Sequence, residues 1–317
     1  METSSAHEVT KGVQPRVGWI GLGSMGQAMA LNLQKHMSKT GAPNIRYYNR
    51  TVSRGIPLQE IGGVGDAALE DTVDAIILSG DTTSDLRGKI IVDASTVHPA
   101  SSTRAASRLA GAGVEFVAAP VSGASPVAAQ GRLLWIAAGS ADAVRVIKPF
   151  VVGVMGRDLI YLGKEVYLSS LMKAASNFLT AGMMELIAEA HVFAEKTGLG
   201  SMALEGLLQQ EYGDQAHAMS RRLTTGVYMP ALGERPWSDV SLAVKDVRIG
   251  VECAVKAGSR LEIGQLALSH LEEAKRYSDA VGRPLDSSSL YGALRQLAGL
   301  SFETDRVKAR DGGAQEP

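Results

Sequence analysis

The chain has 317 residues, enough for two domains, and its 45% hydrophobic and 21% charged content is ordinary for a globular protein. Basic side chains number 32 against 33 acidic ones, a net charge of −1 that gives no electrostatic footing for a nucleic-acid partner. A single cysteine, Cys253, excludes an internal disulfide framework and a cysteine-built zinc site, and six histidines scattered without ligand spacing give no reason to expect a metal.

Residues 1–14 are polar, lack the apolar core of a secretory signal and are expected to be disordered. No uncharged apolar run reaches the ~18 residues a membrane span needs. The expected location is the cytoplasm, with the mitochondrion as the alternative.

From residue 15 to 163, short apolar runs alternate with helical stretches: "RVGWI", "IRYY", "AIILS", "KIIVD", "VEFVA", "LLWIAA" and "DLIYL". Continuous runs of this length, punctuated by Gly and Asp, suit strands of a doubly wound parallel sheet of Rossmann type, an α/β domain covered on both faces. The first run leads into "GLGSMGQAMALNL", which sets Gly21, Gly23 and Gly26 in the G-x-G-x-x-G arrangement, with Leu22, Ser24 and Met25 between them. Strand before and amphipathic helix after is the context that marks a dinucleotide loop: one glycine for the turn, one for approach to pyrophosphate, one for helix packing. The second run ends at "NRTVSR". An NAD site usually carries an acid there; Asn49, Arg50 and Thr51 stand here instead, with Arg54 beyond. A guanidinium can grip a 2′-phosphate that an aspartate would repel, so NADP(H) is expected over NAD(H).

Only Gly80–Gly88 separates "AIILS" from "KIIVD", fewer residues than a right-handed crossover usually takes. After Gly163 the texture becomes helical. "KEVYLSSLMKAASNFLTAGMMELIAEAHVFAEKTGL" reads as one helix of about thirty residues ending near Gly198 or Gly200, and it opens an all-helical region over 164–303. Residues 304–317 read as a disordered tail. Lys173 is the one charge in "SSLMKAASNFLTAGMM", with Asn177 a turn later on the same face. It reads either as a snorkelling side chain or as a group set in a cleft for proton chemistry.

Five motifs in order resemble the β-hydroxyacid dehydrogenases related to 3-hydroxyisobutyrate dehydrogenase and tartronate semialdehyde reductase, over about Arg16 to Leu300: "GLGSMGQAMALNL", "VDASTVHP", "APVSGASPVAAQGRLL", "LMKAASN" and "VKDVRIG". The resemblance implies Lys173 as catalytic acid/base and Asn177, Ser122 and Gly123 as substrate-binding residues. It also implies Ser95, Thr96 and Lys245 beside the cofactor, and a homodimer with interlocked C-terminal regions. The function so implied is NADPH-dependent interconversion of a small β-hydroxy acid and its semialdehyde or keto form.

The sequence departs from the family at Ala118 and Ala124 in the substrate loop, and at Tyr167 and Ser169 before the lysine, where added bulk is expected to reshape the carboxylate pocket. Ser176 replaces the first of two asparagines common after the lysine. Two other functions stand beside the first. An imine reductase or reductive aminase shares the glycine loop and "NRT", but Lys173 would repel an iminium. A catalytically decayed nucleotide-binding protein would account for the short crossover.

Overall fold

The computed structural model describes residues 15–65 and 87–312. The run "AIILS" and the short connection after it, apart from Arg87 and Gly88, lie outside the described residues, as do residues 1–14 and 313–317.

Parallel pairing dominates the first half. β1 (Gly18–Ile20), β2 (Arg46–Tyr48) and β3 (Val64–Gly65) pair in that order, and β4 (Ile90–Asp93) pairs with β5 (Glu115–Ala118), all parallel. A third group joins β6 (Val121–Ser122), β7 (Leu133–Ala137) and β8 (Gly156–Tyr161). There β7 and β8 run parallel, while β6 lies antiparallel to β7 with Val121 opposite Trp135. The Rossmann-type α/β architecture expected from the sequence is present, and the antiparallel β6 is an addition to it. Two residues of strand carry too little periodicity to read in advance.

Helix α1 (Gly26–Thr40) follows β1 and buries Met29, Ala30, Leu33 and Met37, the spacing of one helical face. It stops at Gly41, whose φ of 68° is the left-handed conformation that glycine adopts without a Cβ penalty. These side chains join Ile45, Tyr47, Leu133 and Trp135 in one core. The short α2 (Ile56–Gln59), α3 (Pro99–Gly111), α4 (Ser125–Ala129) and α5 (Ala141–Val151) complete this half.

The second half is helical: α6 (Val166–Thr197), α7 (Ser201–Thr224), α8 (Val240–Lys256), α9 (Glu262–Val281), α10 (Leu290–Leu297) and α11 (Asp305–Gly312). At about 1.5 Å per residue, the 32 residues of α6 extend some 48 Å. Its first turns are fixed to the first half: Ser169 Oγ donates to Ile136 O of β7 at 2.6 Å, and Ser170 Oγ meets Ser102 Oγ of α3 at 2.8 Å. Its later turns supply Met184, Ile187, Ala188 and Ala194 to a second core with Leu223, Tyr228, Leu271 and Tyr291. Gly213 interrupts α7 with non-helical backbone.

The tail expected to be disordered over 304–317 is a helix for most of its described length. Val307 of α11 is buried in the helical core, and Asp311 accepts from Arg283 Nη1 at 2.6 Å. Val307 and Ala309 are the only apolar side chains of the described stretch, so composition alone hid a helix held by one buried valine, an ion pair and the bonds of Arg310 to Gly226 O and Met229 O. Val307→Ser is expected to lower unfolding stability by about 2 kcal/mol, measured by urea denaturation; an unchanged midpoint would show that α11 contributes nothing.

Candidate active site

The glycine loop has the geometry a dinucleotide requires. Gly21 sits at φ 91°, and a Cβ on Gly26 would fall 2.2 Å from Gly21 O, so α1 can approach β1 this closely only with glycine there. A Cβ on Gly23 would meet nothing within 4 Å, which leaves that face open to a ligand. No side chain caps the first turn of α1, where Gln27 N donates to Gly23 O at 3.1 Å, so the positive end of the helix faces the loop without a side-chain acceptor of its own. Leu22, Ser24 and Met25 lie in the same turn.

Asn49 braces this loop. Its Oδ1 accepts from Leu22 N at 2.8 Å, and its Nδ2 donates to Thr51 O at 2.7 Å. Both polar ends of the side chain are therefore engaged within the protein, and Asn49 holds the loop. Arg54 Nη1 donates to Leu22 O at 3.4 Å, while Arg50 and Thr51 are exposed next to the loop.

Ser95 and Thr96 follow the end of β4. Ser95 N donates to Asp93 Oδ1 at 2.9 Å, and Thr96 O accepts from Lys245 Nζ at 2.6 Å. Lys245 also pairs with Asp246 at 2.8 Å, so one side chain of α8 ties the two halves together.

The strand pair β6–β7 fixes the loop expected from the sequence to bind substrate. Gly123 has φ 136°, a backbone that favours glycine, and a Cβ there would lie 2.7 Å from Leu133 Cδ2, which would have to shift. Ser122 Oγ lies 3.2 Å from Ser176 Oγ of α6. Three residues on, Ser125 Oγ donates to Trp237 O at 2.8 Å, drawing the loop before α8 over the same region.

Lys173 lies where these elements meet. Only 8% of its surface is exposed, and Nζ donates to Asn177 Oδ1 at 2.8 Å. Burial, which penalises the ammonium, lowers its pKa from the ordinary lysine value; the Asp246 carboxylate opposes the shift and the Lys245 ammonium adds to it. Asn177 Nδ2 has no hydrogen-bond partner among the described residues. The snorkelling reading of Lys173 does not hold, because its head as well as its stem is inside.

The bulk at Ser169 does not enter this pocket. Ser169 is fully buried and turned to the β7 carbonyl, so it anchors α6, while Tyr167 is exposed. Sequence reasoning also missed Asp246, though its place beside Lys245 in "VKDVRIG" was a signal that one α8 turn carries opposite charges. Elsewhere in the helical half, Met219 is in the core and Tyr212 is exposed, whereas the backbone of Trp237 is tied to Ser125.

The nucleotide-binding fold and the relatives that the chain matches make it an NAD(P)-dependent dehydrogenase acting on CH–OH groups. Residues 16–163 match the NAD binding domain of 6-phosphogluconate dehydrogenase, and residues 169–294 match the NAD-binding domain of NADP-dependent 3-hydroxyisobutyrate dehydrogenase. The chain belongs to the β-hydroxyacid dehydrogenase family. It is 33% identical over 238 residues to an NADH-dependent oxidoreductase of Aspergillus ustus, covering 75% of this chain and 77% of that one. It is 29% identical to glyoxylate/succinic semialdehyde reductase 1 of Arabidopsis thaliana over 83% of this chain and 99% of the other. The 3-hydroxyisobutyrate dehydrogenase structure from Salmonella typhimurium superposes with a TM-score of 0.70 at 21% identity, over 87% of this chain and 98% of that one.

Asp246→Asn removes the group that raises the Lys173 pKa. The limb of a reductive kcat/KM–pH profile that falls as the ammonium deprotonates is therefore expected at lower pH in the variant than in the wild type. A limb that stays in place or moves upward would show that Asp246 does not act on Lys173.

Proposed function

We propose that the protein reduces the semialdehyde or keto form of a small β-hydroxy acid with NADPH, and catalyses the reverse oxidation, with Lys173 as the acid/base. The observation that carries this reading is a buried lysine of lowered pKa, held by Asn177 in a cleft beside the substrate loop. The nicotinamide, when bound, supplies the hydride in reduction and accepts it in oxidation. Lys173 Nζ, as an ammonium, polarises the carbonyl oxygen and gives its proton to the alkoxide that forms. In oxidation the neutral amine takes the hydroxyl proton, and the lowered pKa makes that form accessible at milder pH. Asn177 fixes the amine through Oδ1 and offers Nδ2 to a substrate oxygen. Ser122 and the backbone at Gly123 hold the carboxylate.

The absence of an acid at position 49, together with exposed Arg50, supports NADPH over NADH. The Aspergillus ustus relative is named for NADH, so the cofactor ratio is informative in its own right. Ser95, Thr96 and Lys245 stand on the nicotinamide side, with Lys245 spanning the cleft.

The test is cofactor oxidation over a panel of small semialdehydes, keto acids and cyclic imines. Lys173→Met is expected to reduce kcat by about 100- to 10,000-fold with cofactor binding intact. Arg50→Gln is expected to shrink the NADPH-over-NADH preference by at least about tenfold. A loss below tenfold in the lysine variant contradicts the acid/base role, and turnover confined to cyclic imines selects the imine-reductase alternative.

We also read the working protein as a homodimer built on the helical half. Leu179, Met183, Leu186 and Phe193 are exposed along α6 at spacings of four, three and seven, a stripe suited to a second copy. Light scattering is expected to give twice the chain mass, and Leu186→Glu to lower it; a monomeric wild type overturns this reading.

A further inference from the structure

The face of α6 that carries Lys173 also carries Ser176, Asn177 and Thr180, at the i, i+3, i+4 and i+7 spacing of one helical face. A hydroxyl inside a helix often turns back to the carbonyl of the preceding turn, as Thr180 does when its Oγ1 donates to Ser176 O at 2.8 Å. Ser176 does not. Half-buried, it sets its Oγ 3.2 Å from Ser122 Oγ, and among the described residues this is the one hydrogen bond that either hydroxyl makes.

Ser122 comes to this contact from a backbone that is already fixed. It ends β6 opposite Leu134 of β7, and Gly123 follows with φ 136°. What remains free is rotation about its χ1, which has three staggered wells. A bond to Ser176 favours one of them.

The pair also has a proton to give. Two hydroxyls hold two protons, and the bond between them uses one. The oxygen that carries the other is set by what approaches. An anionic oxygen arriving at Ser122 makes Ser122 Oγ donate outward and accept from Ser176 Oγ. A hydroxyl that accepts a hydrogen bond is the better donor, so the chain of two strengthens the outward bond.

A tie between α6 and the sheet would be the plainer role. That role is already filled one and two turns earlier by Ser169 and Ser170, both buried, whereas Ser122 and Ser176 remain partly open to water.

We propose that Ser176 is a positioning residue for the carboxylate end of the substrate, holding the Ser122 hydroxyl in place and supplying the hydrogen bond behind it. The proposal rests on the reading of Ser122 as a holder of the carboxylate. Ser176 stands where the family commonly has asparagine, so this hydroxyl pair is a feature of the present chain.

Malonate, an unreactive three-carbon acid, is the probe, titrated calorimetrically into the full chain with saturating NADP⁺. Ser176→Ala is expected to weaken its binding by about three- to tenfold, the range of one neutral hydrogen bond and one rotamer preference. Ser176→Thr keeps the hydroxyl and is expected to bind within about twofold of the wild type. In a Ser122→Ala background, Ser176→Ala is expected to have no further effect, because no hydroxyl is left for it to orient.

Wild-type affinity in Ser176→Ala, failure of threonine to restore binding, or an equal loss in both backgrounds overturns the proposal. Weakening in Ser122→Ala but not in Ser176→Ala leaves Ser122 as the carboxylate holder and removes Ser176 alone. No weakening in Ser122→Ala, or no malonate binding by the wild type, removes the reading of Ser122 and this proposal with it. None of these outcomes touches the Lys173 assignment, which the turnover of Lys173→Met decides.

Discussion

Lys173 donates to Asn177 Oδ1 one turn along the same helix, with almost none of its surface in water. Desolvating an ammonium costs several kcal/mol, so a stable fold keeps one there only with compensation around it. The compensation here is partial. A neutral amide oxygen accepts one proton, a carboxylate acts from the next element, and a second ammonium nearby works against it. The residual penalty appears as a lowered pKa, and a lowered pKa is what lets one group serve as acid in one direction and base in the other. Much of the remaining architecture fixes the surroundings of this side chain.

That task falls mainly to α6. Its N-terminal turns are bound to β7 and α3 through Ser169 and Ser170, and its C-terminal turns are part of the helical core. A single element therefore belongs to both cores, and Lys173 lies near the crossover between them. Lys245 on Thr96 and Ser125 on Trp237 add two polar ties between the halves. The positions of the cofactor loop, the substrate loop and the amine are in this way mutually determined.

Much of this was legible because it depends on local chemistry. The glycine loop spans six residues, with a left-handed backbone at Gly21 and a clash that bars a Cβ at Gly26, and the one charge in an apolar sixteen-residue stretch is visible as a violation of burial preference. What escaped depends on partners distant in the chain. Ser169 reads as bulk in a pocket until Ile136 O, 33 residues away, is found above it. Asn49 stands where an acid is usual, and only the structure shows its two ends on Leu22 and Thr51. The Arg222–Asp286 pair joins residues 64 apart in sequence, and α11 is anchored by one valine in a polar stretch. Strand β6, two residues long, is specified by its partner β7 and by the need of Gly123 for a left-handed backbone.

The central claim is that the Lys173 amine titrates below an ordinary lysine, and nuclear magnetic resonance of the protein with isotope-labelled lysines tests it directly. The Lys173 side-chain resonance would be assigned by its absence in Lys173→Met and followed through a pH titration. The account predicts a midpoint clearly below those of exposed lysines, moving lower still in Asp246→Asn. A midpoint shared with the exposed lysines would contradict it.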